Sequence, residues 1–174
     1  MSIRKLMQLN EGDFGNRETQ LRVKSSPVLN FDEALEQLIN DLLETLNDHT
    51  IAVGLAAPQI GVSQRVCVIN LSKEKKGEAI VLVNPEIVER SHKTERKKES
   101  CMSLPHFRGE VERPVKIRVT YMDRRGRAQS LRTEGFLARV ICHEVDHLNG
   151  VLYVDRMDNP AILEPVDFFK QAES

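Results

Sequence analysis

The sequence predicts an α+β fold, with mainly antiparallel sheets packed around a central metal-binding helix and a second helix nearer the N-terminus. Two observations set the helices: segments starting near Asn30 and at Gly135 keep apolar residues at helical spacing, and the later one carries two histidines four residues apart. A third sets the strands. Short β-branched or alternating runs follow one another without regular helical crossovers, which favours antiparallel pairing over a parallel sheet. At 174 residues the chain is expected to form a single domain, 1–174, large enough to bury a core.

Residues 1–29 read as polar and irregular, ending near Pro27. Asn30 is the expected cap of the first helix, with Glu33 at the capping-box position. Phe31, Ala34, Leu35, Leu38, Ile39, Leu42, Leu43 and Leu46 then form a core-facing stripe through about Asp48. Gly54 to Gly61, small and bounded by glycine, reads as a tight loop. Val66 to Ile69 and Ala79 to Val83 read as strands joined by a charged turn, Lys73 to Glu78. The charge-dense stretch Glu89 to Glu99 reads as a solvated connection. Val115, Ile117, Val119 and Tyr121 alternate with Lys116, Arg118 and Thr120, a strand with one wet face. Asp123 to Gly126 turns it into a second strand near Ala128 to Thr133, and the last helix runs from Gly135 until Gly150 stops it.

Composition narrows the function classes. With 25 basic and 26 acidic residues the formal net charge is −1, so no global field favours nucleic acid or an anionic membrane. No apolar run reaches the ~18 residues of a membrane span. Glu11, Asp13 and Glu18 argue against a signal or transit peptide. Three cysteines are too few and too odd for a disulfide framework, which suits a reducing compartment. The expected location is the cytoplasm.

The chemistry concentrates in His143-Glu144-Val145-Asp146-His147. On a helix the two imidazoles lie on one face, close enough to share a metal ion, and Glu144 beside them is placed to move a water's proton. At 100° per residue Phe136, Val140, His143 and His147 form one stripe, while Leu137, Ile141, Val145 and Leu148 form a second, core-like stripe. Glu144 falls between them. Asp146 faces away from the histidines and reads as a structural hydrogen-bonding residue.

A catalytic site of this kind takes a third protein ligand and keeps one position open. Downstream, Tyr153 stands where one protease pattern needs histidine, and Glu164 and Glu173 lie on a tail too short for another. Upstream, Cys67 fits a buried strand and Cys142 points around the helix from both histidines, which leaves Cys101 as a candidate.

Gly54-Leu55-Ala56-Ala57-Pro58-Gln59, Glu99-Ser100-Cys101-Met102-Ser103 and the His143–His147 pentapeptide resemble, in that order, the three signature motifs of the peptide deformylases. Val83-Asn84-Pro85 is similar to another recurrent segment of that family, and the resemblance spans roughly residues 30–155. It implies that Cys101, His143 and His147 hold one divalent metal with water as fourth ligand. Ferrous iron is the ion that the resemblance favours, and zinc, nickel or cobalt suit the same ligands. Glu144 would be general base and then general acid. The Gln59 side-chain amide and the Met102 backbone N–H would stabilise the oxyanion. The substrate would be the N-formyl-methionyl end of a nascent peptide, held extended along Val53, Gly54 and Ser100, with Arg108 nearby and Val53, Phe136, Val140 and His143 around the methionine side chain.

Some positions depart from the family pattern. Ala52 and Ser100 stand where glycine is frequent, Met102 where leucine is usual and Cys142 where glutamine is common. A positive φ at Ser100 would cost about 1–2 kcal/mol. The tail Glu164–Lys170 is short and acidic, unlike the basic helix linked to ribosome docking in some members. Two rival readings remain: a zinc endopeptidase, and a metal-stabilised binding module closed by a fourth ligand such as His106.

Overall fold

The computed structural model describes residues 2–72, 78–160 and 162–166. Among these described residues, eight strands form two antiparallel sheets. Gly54–Ala56 (β1), Val66–Ile69 (β2), Ile80–Arg90 (β3), Lys116–Met122 (β6) and Ala128–Glu134 (β7) make a five-stranded sheet in the order β1-β2-β3-β6-β7. Thr94–Cys101 (β4), Leu104–Pro114 (β5) and Glu164–Pro165 (β8) make a second sheet in the order β4-β5-β8. The helices are Glu33–Asp48 (α1) and Gly135–Leu148 (α2).

Side-chain alternation along β2 explains how the layers stack. Val66 and Val68 pack with Leu35, Ile39 and Leu42 of α1, whereas Cys67 and Ile69 pack with Ile141, Val145 and Leu148 of α2. Covered on both faces, β2 is buried at every position and has no polar side. The second helical stripe, Leu137, Ile141, Val145 and Leu148, is therefore core as expected. The three-stranded sheet closes the opposite side of α2, where Cys101, Leu104 and Val111 pack with Leu152, Tyr153 and Phe14. α2 is thus enclosed by both sheets, and Gly150 takes φ 72° just beyond its end.

Several sequence expectations need correction. The α1 cap is Asp32, whose carboxylate accepts from the Ala34 and Leu35 N–H groups; Asn30 lies two residues too early. Phe31 consequently sits outside the helix, 39% exposed with its ring against Gly126, and Ala34 is exposed as well. Gly54–Gly61 is half strand: β1 pairs with β2, and only Ala57–Ile60 curls into a 3-10 turn ended by Gly61 at φ 81°. The stretch Glu89–Glu99 is the end of β3 and most of β4, paired in ladders rather than a solvated connection. β5 went unrecognised in the sequence. The expected turn at Lys73–Glu78 falls mostly outside the described residues, as does the tail beyond Val166.

The Val83-Asn84-Pro85 segment has a clear structural use. Asn84 adopts φ 52° where the β3–β6 register shifts, and its side chain accepts from Val28 N and donates to Val28 O, both at 2.8 Å. Asparagine tolerates the left-handed region, and its amide here replaces a strand partner for the N-terminal segment.

Candidate metal centre

Three donor-bearing side chains converge from two elements. Cys101 ends β4, His143 and His147 lie one turn apart on α2, and their ligand atoms are all within 4.8 Å of one another. His147 Nε2 lies 3.2 Å from Cys101 Sγ. His143 Nδ1 is 3.0 Å from the Glu99 carboxylate, so its Nε2 is the nitrogen left for an ion. Burial opposes ionisation of Cys101, yet the neighbouring His147 and His143 hold its thiol well below the usual thiol range. A ready thiolate with two imidazoles fits a divalent transition metal, and three protein donors are the number that leaves a position open for chemistry.

Glu144 is buried beside this cluster, with Oε2 lacking any hydrogen-bond partner. Burial pushes its carboxyl up to about 7, against the pull of His143 and His147. Gly54 makes room for it: a β-carbon there would collide with the Glu144 carboxylate. Glycine is required at this place for close approach rather than for an unusual φ.

Gln59, on the 3-10 turn after β1, is buried and fixed at both ends of its amide. Its Oε1 accepts from Ala56 N at 2.9 Å, and its Nε2 donates to Ser103 Oγ at 3.2 Å and lies 3.5 Å from Cys101 Sγ. The amide is therefore aimed at the cluster. Met102 follows Cys101 in the turn between β4 and β5.

The remaining site candidates spread along two strand edges and one helix face. Val53 and Gly54 lie on β1 or its threshold, the outermost strand of the five-stranded sheet, and Ser100 lies on β4, outermost in the other. Ser100 has no positive φ, so the strain expected from losing a glycine there does not arise. Arg108 pairs opposite Ser100 in the ladder, and its Nε donates to Glu164 Oε2 at 3.0 Å. On α2, Val140 is buried and Phe136 is exposed at the helix start. His106 is exposed and stands apart from the three-donor cluster, which removes the fourth ligand that a closed binding module needs. Tyr153, at the protease pattern's ligand position, only packs near His143, with ring centroids 6.3 Å apart.

Sequence reasoning missed the ionic layer behind the ligands. Arg113 on β5 donates to both Glu99 oxygens, at 3.0 and 2.9 Å, and to Asp146 of α2. Arg139 adds a bond to Glu99 at 2.7 Å, and Arg156 two to Asp146, at 3.1 and 2.7 Å. Asp146 is thus structural, as its position facing away from the histidines implies. Cys142 lies buried on this same side of α2, outside the donor cluster, and burial pushes its thiol up to about 11. The signal for Glu99 was its spacing: it stands two residues before Cys101, which in a strand puts both on one face.

Relatives share this arrangement of elements. The family model described as polypeptide deformylase matches residues 14–161. A peptide deformylase of Rhizobium meliloti is 43% identical over 136 residues, 78% of each chain. One from Caldicellulosiruptor bescii is 46% identical over 137 residues, 79% of each. Among solved structures, a peptide deformylase from Legionella pneumophila superposes with TM-score 0.80 at 43% identity, covering 90% of this chain and 87% of that one. Another, from Synechococcus elongatus in complex with actinonin, gives 0.79 at 40%, covering 90% and 79%. With nearly the whole described fold matched by sequence and by structure, the chain belongs to the peptide deformylase family.

Proposed function

We infer that this chain is a metal-dependent hydrolase that removes the formyl group from the N-terminal formyl-methionine of newly synthesised proteins and releases formate. The observation that carries the reading is the convergence of Cys101, His143 and His147 donor atoms within 4.8 Å, beside a buried Glu144 with an unpartnered oxygen. A divalent ion held by those three residues would polarise the formyl carbonyl and make water acidic at neutral pH.

The chain's own groups handle the rest. Glu144 takes the proton of the attacking water and returns it to the departing amine, a task suited to a carboxyl whose burial brings it to about 7. Gln59 Nε2 and the Met102 N–H donate to the carbonyl oxygen as negative charge builds on it. Val53, Gly54 and Ser100 offer main-chain groups to an extended peptide, a mode indifferent to downstream side chains. Phe136, Val140 and His143 border the methionine side chain, and Arg108 sits beside the downstream peptide. We place the reaction within one catalytic domain, 1–174, working in the cytoplasm on nascent chains near the ribosome, with ferrous iron as the resident ion. No helix among the described residues is long and apolar enough to cross a membrane.

Release of formate from a formyl-methionyl peptide, alongside metal analysis of protein purified without oxygen, tests the reading. Cleavage of internal bonds in an unformylated peptide, with no formate released, would overturn it in favour of an endopeptidase.

A further inference from the structure

Three consecutive residues near the N-terminus reach the backbone of both loops that carry the assigned oxyanion donors. Met7 N donates to Gln59 O at 2.7 Å, Gln8 Nε2 to Met102 O at 3.1 Å, and Leu9 N to Ser103 O at 2.8 Å. The two loops come from different sheets: Gln59 follows β1 of the five-stranded sheet, and Met102–Ser103 is the turn between β4 and β5 of the other. No strand ladder among the described residues joins these sheets, so sheet pairing does not set the distance between the two donors.

The segment is itself well anchored. Upstream, Arg4 N donates to Thr45 Oγ1 at 2.9 Å and Arg4 Nη1 to Asp41 Oδ2 at 3.1 Å, both on α1. Its side chains divide between cores: Leu6 packs with the cluster under α1, whereas Met7 and Leu9 pack with the cluster that contains Cys101 and Leu104. A stretch whose successive bonds reach one loop and then the other ties the two loops directly and behaves as a spacer between them.

We propose that residues 7–9 form a positioning strap that holds the Gln59 and Met102 donors at the separation needed to grip one oxyanion. The proposal rests on the donor roles assigned above to Gln59 and Met102. Oxyanion donors act through preorganisation, and a misplacement of about 1 Å can cost roughly a hundredfold in rate. The strap touches no substrate, so its loss acts on turnover more than on ground-state binding.

Four variants test this in the metal-loaded full chain with a formyl-methionyl peptide. Leu9→Pro removes the N–H to Ser103 while keeping an extended backbone. Gln8→Ala removes a bond from an exposed side chain. Arg4→Ala loosens the same segment away from the two loops, and Gln59→Ala removes one donor outright. The expected result is a drop in kcat of tenfold or more for Leu9→Pro, with KM and metal content nearly unchanged, a smaller drop of the same kind for Gln8→Ala, and none for Arg4→Ala. Leu9→Pro decides if it folds with full metal; otherwise Gln8→Ala decides. A normal kcat in the deciding variant while Gln59→Ala is slow overturns the strap and leaves the oxyanion reading standing. An equal loss in Arg4→Ala shows a merely structural arm and also overturns it. A normal kcat in Gln59→Ala removes the oxyanion reading, and the strap with it.

Discussion

Glu144 and Gly54 form one unit, although they stand 90 positions apart in the chain. The carboxylate occupies space that any side chain at position 54 would take, and burial there brings its carboxyl up to about 7. Glu144→Gln keeps the size and loses proton transfer, so metal content should be unchanged while turnover falls by about 10²–10⁴-fold. Near-normal turnover in a fully loaded preparation would remove Glu144 from its assigned role. Gly54→Ala keeps every reacting group yet forces the carboxylate aside. It should also retain metal and lose on the order of a hundredfold in kcat, the usual consequence of a displacement near 1 Å. Steady-state kinetics with metal analysis on the same sample checks both variants. An unimpaired Gly54→Ala would mean that the carboxylate has another place to go.

At the scale of elements, the ligands come from a strand and a helix that an ionic layer clasps together. Arg113 bonds Glu99, two residues before Cys101 on β4, and Asp146, one residue before His147 on α2. Arg113→Met should therefore weaken metal retention as well as folding, because it strips a shared partner from two buried carboxylates. Breaking such a pair typically costs about 3–5 kcal/mol. Resistance to denaturant should fall while the rate of metal loss to a chelator rises, and a variant that loses stability with unchanged metal loss would disconnect the layer from the site. Glu99 also makes a pH prediction. Burial opposes its ionisation, but hydrogen bonds from His143 and Arg113 hold its carboxyl well below the usual carboxylate range. Its contribution is then complete above the unfolded-chain value of about 4.3 and disappears as pH falls from there toward the folded value. In metal-free protein, Glu99→Gln should flatten the loss of stability between about pH 5 and pH 2. An unchanged slope would show that other carboxylates dominate acid unfolding.

For the molecule as a whole, the site lies where two sheets meet across α2, and both candidate peptide-binding strands, β1 and β4, are outermost in their sheets. An edge strand can offer main-chain groups to an extended peptide, which is the mode proposed above for Val53, Gly54 and Ser100. Substrates with an ester in place of a downstream amide should show a clearly lower kcat/KM than the matching peptides. Exchanging downstream side chains should matter much less. The reverse pattern in a substrate series would shift recognition from main chain to side-chain pockets.

The sequence by itself determined the ligand helix, because the histidine spacing and its two stripes are properties of one continuous segment, and so is the stop at Gly150. It also determined individual strands of the five-stranded sheet where hydrophobic alternation is intact, as in β6. It failed at β4 and β5 for a definite reason. The inward positions of β5 near the site are Gly109, Val111 and Arg113, and those of β4 are Glu99 and Cys101, so charged groups occupy places where a pattern search needs apolar ones. Glu99 and Arg113 are buried because they neutralise each other across the β4–β5 pair and meet Arg139 and Asp146 of α2, 40 and 33 positions away, so no local window contains all the partners. The same holds for Gly54 against Glu144 and for Met7 to Leu9 against Gln59 and Ser103. Only the tertiary structure decided these, since each is a contact whose energy exists after the two sheets have closed on α2.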